Sequence, residues 1–400
     1  MNLRGESVSD SDPLKTLFRE LLLAAGMIGL LILALYAHTG SMPPLVVVES
    51  SSMIHDIDGE VGSIDAGDLV LVHDQDFDTI VTFAEATEPG SPHFGYAQHG
   101  LEGDVIIATK ASTIAMGGPA MIEGGGLGIY TPEEVGPMSF QVPNGVVDIL
   151  VDDEAEAVQV AKKYLSYFQG RVEQWESPDQ RKLRHIVPEN RLRLYDMREI
   201  IETIADVDSV LEIRKDFGIG VITAFIRVEG KPMGVIANNP HHIAGAIDSD
   251  GADKGTRFIQ LCDAFDIPVL SLMDCPGMMV GPDVERTALV RHCVRMFNAG
   301  ANLTTPLFGV VVRKAYGLGV QAMCGASALV GFFTVAWPTA EFAGMNIEGA
   351  VKLGYRNELS AIEDPEERAR EFNERVDRSY EAAKAVNAVA GGGLDDVIDP

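Results

Sequence analysis

Four hundred residues, 46% apolar and 22% charged, leave room for two to three domains and exclude a wholly disordered chain. The net charge of −28 excludes nucleic acid as a partner, because a phosphate backbone would be repelled. The four cysteines, Cys262, Cys275, Cys293 and Cys324, form no C-x-x-C pair, and no zinc-ligand spacing occurs, so no metal is expected. They read as reduced, buried thiols of an intracellular domain, with two disulfides as the alternative.

The first element in chain order is apolar. Leu21–Ala37, LLLAAGMIGLLILALYA, runs 17 residues without a charge, the short end of what spans a bilayer. Lys15 and Arg19 precede it. By the positive-inside rule residues 1–20 are then cytoplasmic and the chain beyond residue 37 lies outside. The expectation is a transmembrane helix over 21–37; a cleaved signal peptide and a buried soluble helix are the alternatives. Pro43-Pro44 breaks it. LVVVESSSM from Leu45, GDLVLV at Gly67–Val72 and GDVII at Gly103–Ile107 read as turn-then-strand segments. They predict a small all-β domain over 43–108.

This order of anchor, proline break, strand, S-x-S-M and two Gly-Asp strands resembles signal peptidase I of the archaeal form, over residues 14–108. The resemblance implies that Ser52, directly before Met53, is a nucleophile just outside the membrane. A serine hydroxyl needs a positioned base. In that family the base is a histidine in an H-R dipeptide beyond the second Gly-Asp strand. This chain has no H-R dipeptide and no histidine between His99 and His185, while His55, His73, His93 and His99 precede that strand. Ser52 is therefore expected to lack its base. A membrane-anchored serine endopeptidase stands as the alternative function.

From Ala111 the texture changes. TIAMGGPAMIEGGGLGIY is dense in glycine, and strand and helix signals then alternate. VVDILV precedes an acidic helix start at Asp152–Glu156; FGIGVITAFIRV, GVIANNP, IPVLSLMDCPG and LFGVVVRKAYG come next, with a charged helical tail from Glu363. Such alternation predicts an α/β class with buried strands. No G-x-x-x-x-G-K-[ST] occurs, nor a G-x-G-x-x-G between strand and helix, so a nucleotide-phosphate loop is not favoured.

Four blocks carry more specific information: GVIANNP at Gly234–Pro240, KGTRFIQLCDAFDIPVLSLMDCPGMMVG at Lys254–Gly281, RKAYGLGVQAM at Arg313–Met323 and AWPTAEFAGM at Ala336–Met345. GGPAMI, YDMREII, DSVLE and DDVIDP support them, at Gly117–Ile122, Tyr195–Ile201, Asp208–Glu212 and Asp395–Pro400. Together residues 111–400 resemble the carboxyltransferase β-subunit of biotin-dependent acyl-CoA carboxylases, the propionyl-CoA and acetyl-CoA carboxylase group. The resemblance implies a crotonase-like ββα fold, with 111–170 the tail of an N-terminal half and 180–400 the C-terminal domain. The whole chain is thus expected to be an α/β carboxyltransferase domain preceded by a transmembrane helix and a small signal-peptidase-like β domain, joined near Ile107–Ser112 with no core crossing residue 110.

The implied reaction moves a carboxyl group from carboxybiotin, held by a carrier protein, to the enolate of an acyl-CoA. Both developing charges sit on oxygen, which backbone N–H pairs at helix starts suit, and glycine lets substrate approach them. The resemblance assigns the backbone oxyanion hole to Gly317, Leu318 and Gly319, where the family has Gly-Gly-Ala, with Val320 replacing the usual aromatic. It assigns substrate contacts to Pro276, Gly277, Met278, Gly281, Asn238 and Asn239, and biotin contacts to Gly277 and Gly319. For the two asparagines a turn is an equal reading. Adjacent His241 and His242 read as structural, Trp337 as core, and Arg313 and Lys314 as a solvated strand end, with phosphate or carboxylate binding the sharper option. The implied partners are a biotin carboxylase and biotin carboxyl carrier subunit, and either further copies of this chain or intact β-subunits. A non-catalytic subunit is the third reading. The anchor implies a membrane location; the carboxyltransferase part implies the cytoplasm.

Overall fold

The computed structural model describes residues 45–47, 69–71, 104–329 and 331–400. The chain divides into two units, Met1–Gly103 and Asp104–Pro400. In the first, β1 (Leu45–Val47) pairs antiparallel with β2 (Leu69–Leu71), Leu45 opposite Leu71. The expected helix over 21–37 and Ser52 lie outside the described residues. Among the described residues no helix is long and apolar enough to cross a membrane.

The second unit starts earlier than the sequence suggests. Residues 107–109 form β3 (Ile107–Thr109), which pairs in parallel with β4 (Ile149–Val151). The Ile106 N–H donates to Asp148 Oδ2 at 2.7 Å, and Arg214 Nε lies 2.8 Å from the other oxygen of that carboxylate. Ala108 packs with Met138 and Val147, and Val105 against the main core. The expectation of a boundary near residue 110 is corrected: one core runs through it, and Asp104–Ile107 belong to this unit. A strand needs a ladder partner for its backbone groups, and here that partner lies forty residues downstream.

The large sheet runs β12 (Asp396–Val397), β10 (Phe333–Ala336), β9 (Leu307–Tyr316), β8 (Val269–Cys275), β7 (Lys231–Asn238), β6 (Val221–Val228), β5 (Leu211–Ile213), with β11 (Glu341–Ala343) also paired to β9. β5, β6 and β7 are antiparallel; from β7 to β12 the pairing is parallel. The helix α1 (Glu154–Ser166) precedes the sheet and α2 (Met197–Ile204) leads into it; α3 (Ser249–Ala264) connects β7 to β8, and α4 (Leu289–Ala301) connects β8 to β9. This is the α/β class expected.

Alternation decides which face each residue joins. Val221 and Phe225 point toward α3 and α4, into a cluster with Ile236, Phe258, Ile259, Met273 and Met296. Ile222 and Ile226 point the other way, onto Met197, Ile200 and Ile201 of α2 and onto Trp337. Trp337 is core, as its sequence context implies. With both faces covered, all seven residues of β8 are buried, as a central parallel strand requires. The end of α1 and the turn after it are part of the same core, since Tyr164, Tyr167 and Phe168 ring Phe225 at 5.4–5.8 Å. All four cysteines are free and buried.

Candidate active site at the ends of β8 and β9

Parallel strands deliver their loops to one end of the sheet, and two glycine-bearing loops meet there. β8 ends at Cys275, and Pro276 turns the chain into Gly277 at φ +125°, a conformation that favours glycine. The Gly277 carbonyl accepts from the Ile247 N–H at 3.1 Å, and the Met279 N–H donates to the Ile247 carbonyl at 2.9 Å. Residues 277–279 are thereby stitched to residue 247. β9 ends at Tyr316, and α5 (Gly317–Met323) starts at once, with no side-chain cap on its first turn.

Gly319 brings the loops into contact. A Cβ there would lie 2.5 Å from Cys275 Sγ and 2.8 Å from both Cα and C of Gly277. Only a residue without a side chain fits. Gly317 sits at φ +56°, and its missing Cβ would approach the Gly344 carbonyl to 2.8 Å. Between them Leu318 points outward, 61% exposed, so it does not fill the seam between Gly277 and Gly319. Met278 and Gly281 are half-buried, and Val280 is 83% exposed. Thus the loop at 276–281 and the turn at 317–319 meet through Gly277 and Gly319.

Asn238 and Asn239 do not join them as ligand contacts. Asn238 is fully buried; its amide donates to the Gly245 carbonyl at 3.0 Å, and its oxygen accepts from the Asp274 N–H at 3.2 Å. Asn239 donates to the Ile219 carbonyl at 2.8 Å and accepts from the His241 N–H at 3.2 Å. Both amides are consumed by backbone groups, so their role is to hold turns. His242 faces Asp248 at 3.6 Å.

Arg313 and Lys314 are not a solvated strand end. Arg313 is buried, with Nε and Nη2 at 3.1 and 2.9 Å from Asp274 Oδ2. Lys314 reaches Asp274 Oδ1 with Nζ at 2.7 Å and with its backbone N–H at 3.1 Å. The Tyr195 hydroxyl donates to Oδ2 at 2.9 Å. The sequence reading missed this cluster. Its signal was an acid and two bases at the ends of otherwise apolar strands, since buried charges must be paired. Burial, together with the Asp274 carboxylate, pushes the Tyr195 phenol up. Burial pushes the Cys275 thiol up to about 12, so it stays a neutral thiol at the site.

Two further features lie away from the seam. Lys254, on α3, is buried without a hydrogen-bond partner at Nζ, and burial lowers its pKa to about 7. A polar cavity of about 340 Å³ lies between α3 and α4, lined by Gln260, Asp263, Arg295 and Asn298 among others. None of its lining residues comes from the two loops. Among the described residues no cluster of metal-ligating side chains occurs.

The described unit is a layered α/β fold whose two glycine loops meet at one end of the sheet. The chain belongs to the carboxyl transferase domain family, whose model matches residues 95–400. It is 35% identical, over 64% of its length and 51% of the relative's, to the carboxyltransferase subunit of propionyl-CoA carboxylase from Haloferax mediterranei. It is similar in structure to a single-chain, multi-domain long-chain acyl-CoA carboxylase, with TM-score 0.69 and 55% identity over 74% of this chain and 29% of that one. It is also similar to the transcarboxylase 12S hexamer bearing methylmalonyl-coenzyme A, with TM-score 0.66 and 33% identity over 74% of this chain and 58% of that one. The chain spans about half the length of the curated relatives it matches. The match starts at residue 95, so residues 95–108, which the sequence reading gave to a peptidase-like domain, fall inside it. The comparisons give the peptidase reading no support.

Proposed function

We propose that residues 95–400 carry the biotin-facing part of an acyl-CoA carboxyltransferase. The observation that carries this reading is the contact of Gly319 with Gly277, a seam with no room for a side chain. Backbone N–H groups of Gly317, Leu318 and Gly319, in the uncapped first turn of α5, are the donors for an oxyanion. Gly277 and Gly319 leave space for the ureido edge of biotin, while Pro276, Met278 and Gly281 shape the loop around it. When bound, carboxybiotin would supply the carboxyl group by breaking its ureido N–carboxyl bond, and the nitrogen so freed would take the proton lost by the acyl-CoA α-carbon. The chain's residues fix the reactants and offer N–H dipoles. No side-chain nucleophile is needed; Cys275, the thiol at the seam, is held neutral.

The substrate is an acyl-CoA, as in the propionyl-CoA and long-chain acyl-CoA carboxylases that the chain resembles. The carboxyl donor comes from a biotin carboxylase and biotin carboxyl carrier partner. Exposed Met116, Met121, Leu127, Ile129 and Phe140 favour assembly with further copies or with intact β-subunits. The test is acyl-CoA-dependent decarboxylation of free carboxybiotin by the full chain, alone and mixed with an intact β-subunit. Turnover that appears in either arm and is abolished by Gly319→Val supports the reading. Turnover indifferent to Gly319→Val rejects the site, and absence of turnover in both arms leaves a non-catalytic assembly subunit.

A further inference from the structure

The two loops are built on different strands, yet one carboxylate touches the structures that set both. Asp274 is fully buried and is the residue directly before Cys275-Pro276-Gly277. Its Oδ1 accepts from Lys314 Nζ and from the Lys314 N–H, three residues before Gly317. Its Oδ2 accepts from Arg313 and from Tyr195. Its own N–H donates to Asn238 Oδ1, and Asn238 in turn grips the Gly245 carbonyl beside the Ile247 stitch to Gly277.

These bonds also explain an irregularity. The β8–β9 register shifts between Met273 and Cys275, so that Cys275 lies opposite Ala315. At that shift the ladder is interrupted, and the carboxylate of Asp274 takes the Lys314 N–H in place of a strand carbonyl. A side chain thus sets how far β9 slides past β8, and with it whether Gly319 lands against Gly277. Arg313 extends the bracing outward, since its Nη1 donates to the Arg193 carbonyl at 2.8 Å.

We infer that Asp274 is a positioning residue that locks the loop at 276–281 to the loop at 317–319, through its bonds to Lys314, Arg313 and Tyr195. This deepens the carboxyltransferase reading and rests on it for its catalytic meaning. Asp274 touches no reacting atom; it keeps the N–H groups of one loop aimed across the other. Charge-assisted bonds in a dry interior are strong enough for that task, and losing one partner leaves two cations uncompensated.

The test uses the full chain with Asp274→Asn, Tyr195→Phe and the double variant Asp274→Asn/Lys314→Met. Hydrogen exchange is read at 276–281, 317–323 and, as a control, 221–228. The expected result for Asp274→Asn is a joint loss of protection of about tenfold in both loops, with the control unchanged. Tyr195→Phe, which keeps every charge, is expected to give a smaller loss in the same two segments, and it serves if Asp274→Asn does not fold. Affinity for free biotin is expected to fall about tenfold in Asp274→Asn and to recover in part in the double variant, which removes the unpaired ammonium. Exchange that rises in only one loop, or uniformly across the control, overturns the inference. If wild type binds no biotin, the carboxyltransferase reading fails, while the exchange result still decides whether Asp274 couples the loops.

Discussion

The segment from Ile114 to Val146 and the sheet from Leu211 to Ala336 differ in what they do with apolar side chains. In the first, Met116 is 96% and Ile129 81% exposed, and only Met138 of its short helices is buried. In the second, β8 is buried from end to end and β6 in seven of its eight residues. The sheet closes its own core because helices cover both faces. The segment presents apolar side chains that nothing in the described residues covers. Stability therefore resides in the sheet, and the segment is the surface that the proposed assembly would use.

The largest expected effect sharpens that contrast. Phe225→Ala removes the centre of the aromatic cluster and is expected to destabilise the unit by about 3–5 kcal/mol in urea titration. Ile129→Ala is expected to stay within about 0.5 kcal/mol. Equal losses would break the comparison.

Lys254 tests the interior of the sheet half by pH. Its ordinary pKa of 10.5 falls to about 7 in the folded chain, because burial disfavours the charged form. Below about pH 7 the ammonium is charged in both states and its burial opposes folding in full; as pH rises toward 10.5 the unfolded chain binds the extra proton and stability increases. Lys254→Met is expected to raise stability at pH 7 by on the order of a few kcal/mol and to flatten the dependence above it. A steeper dependence in the variant would contradict this.

A pair of glycines gives a smaller contrast. Gly319→Ala is expected to lower stability by about 1–3 kcal/mol, since its Cβ meets backbone. Gly124→Ala, in a helix with open space around it, is expected to be neutral or stabilising by up to ~1 kcal/mol. Thermal midpoints of the two variants decide this. The smallest effect belongs to Arg295→Ala, which breaks an exposed pair with Asp253 and is expected to change stability by under ~1 kcal/mol, less still in high salt.

The two glycine loops were singled out only through a family resemblance; the sequence by itself determined the α/β class and most of the buried strands, because apolar runs are local signals. Trp337 as core and the four buried cysteines were legible for the same reason. Three things were decided only by tertiary structure. The partner of Ile107–Thr109 lies at Ile149–Val151, so no local pattern could tell that Asp104–Ile107 open this unit rather than close another. For Asn238 and Asn239 the sequence left a turn and a ligand contact equally open, and only the fold shows their amides bonded to backbone. Asp274 stands some forty residues from Arg313 and Lys314 in sequence, and the pairing of β8 with β9 makes them one buried cluster. Local propensity is written residue by residue, whereas the pairing of charges and the fit of one glycine against another depend on which strands become neighbours.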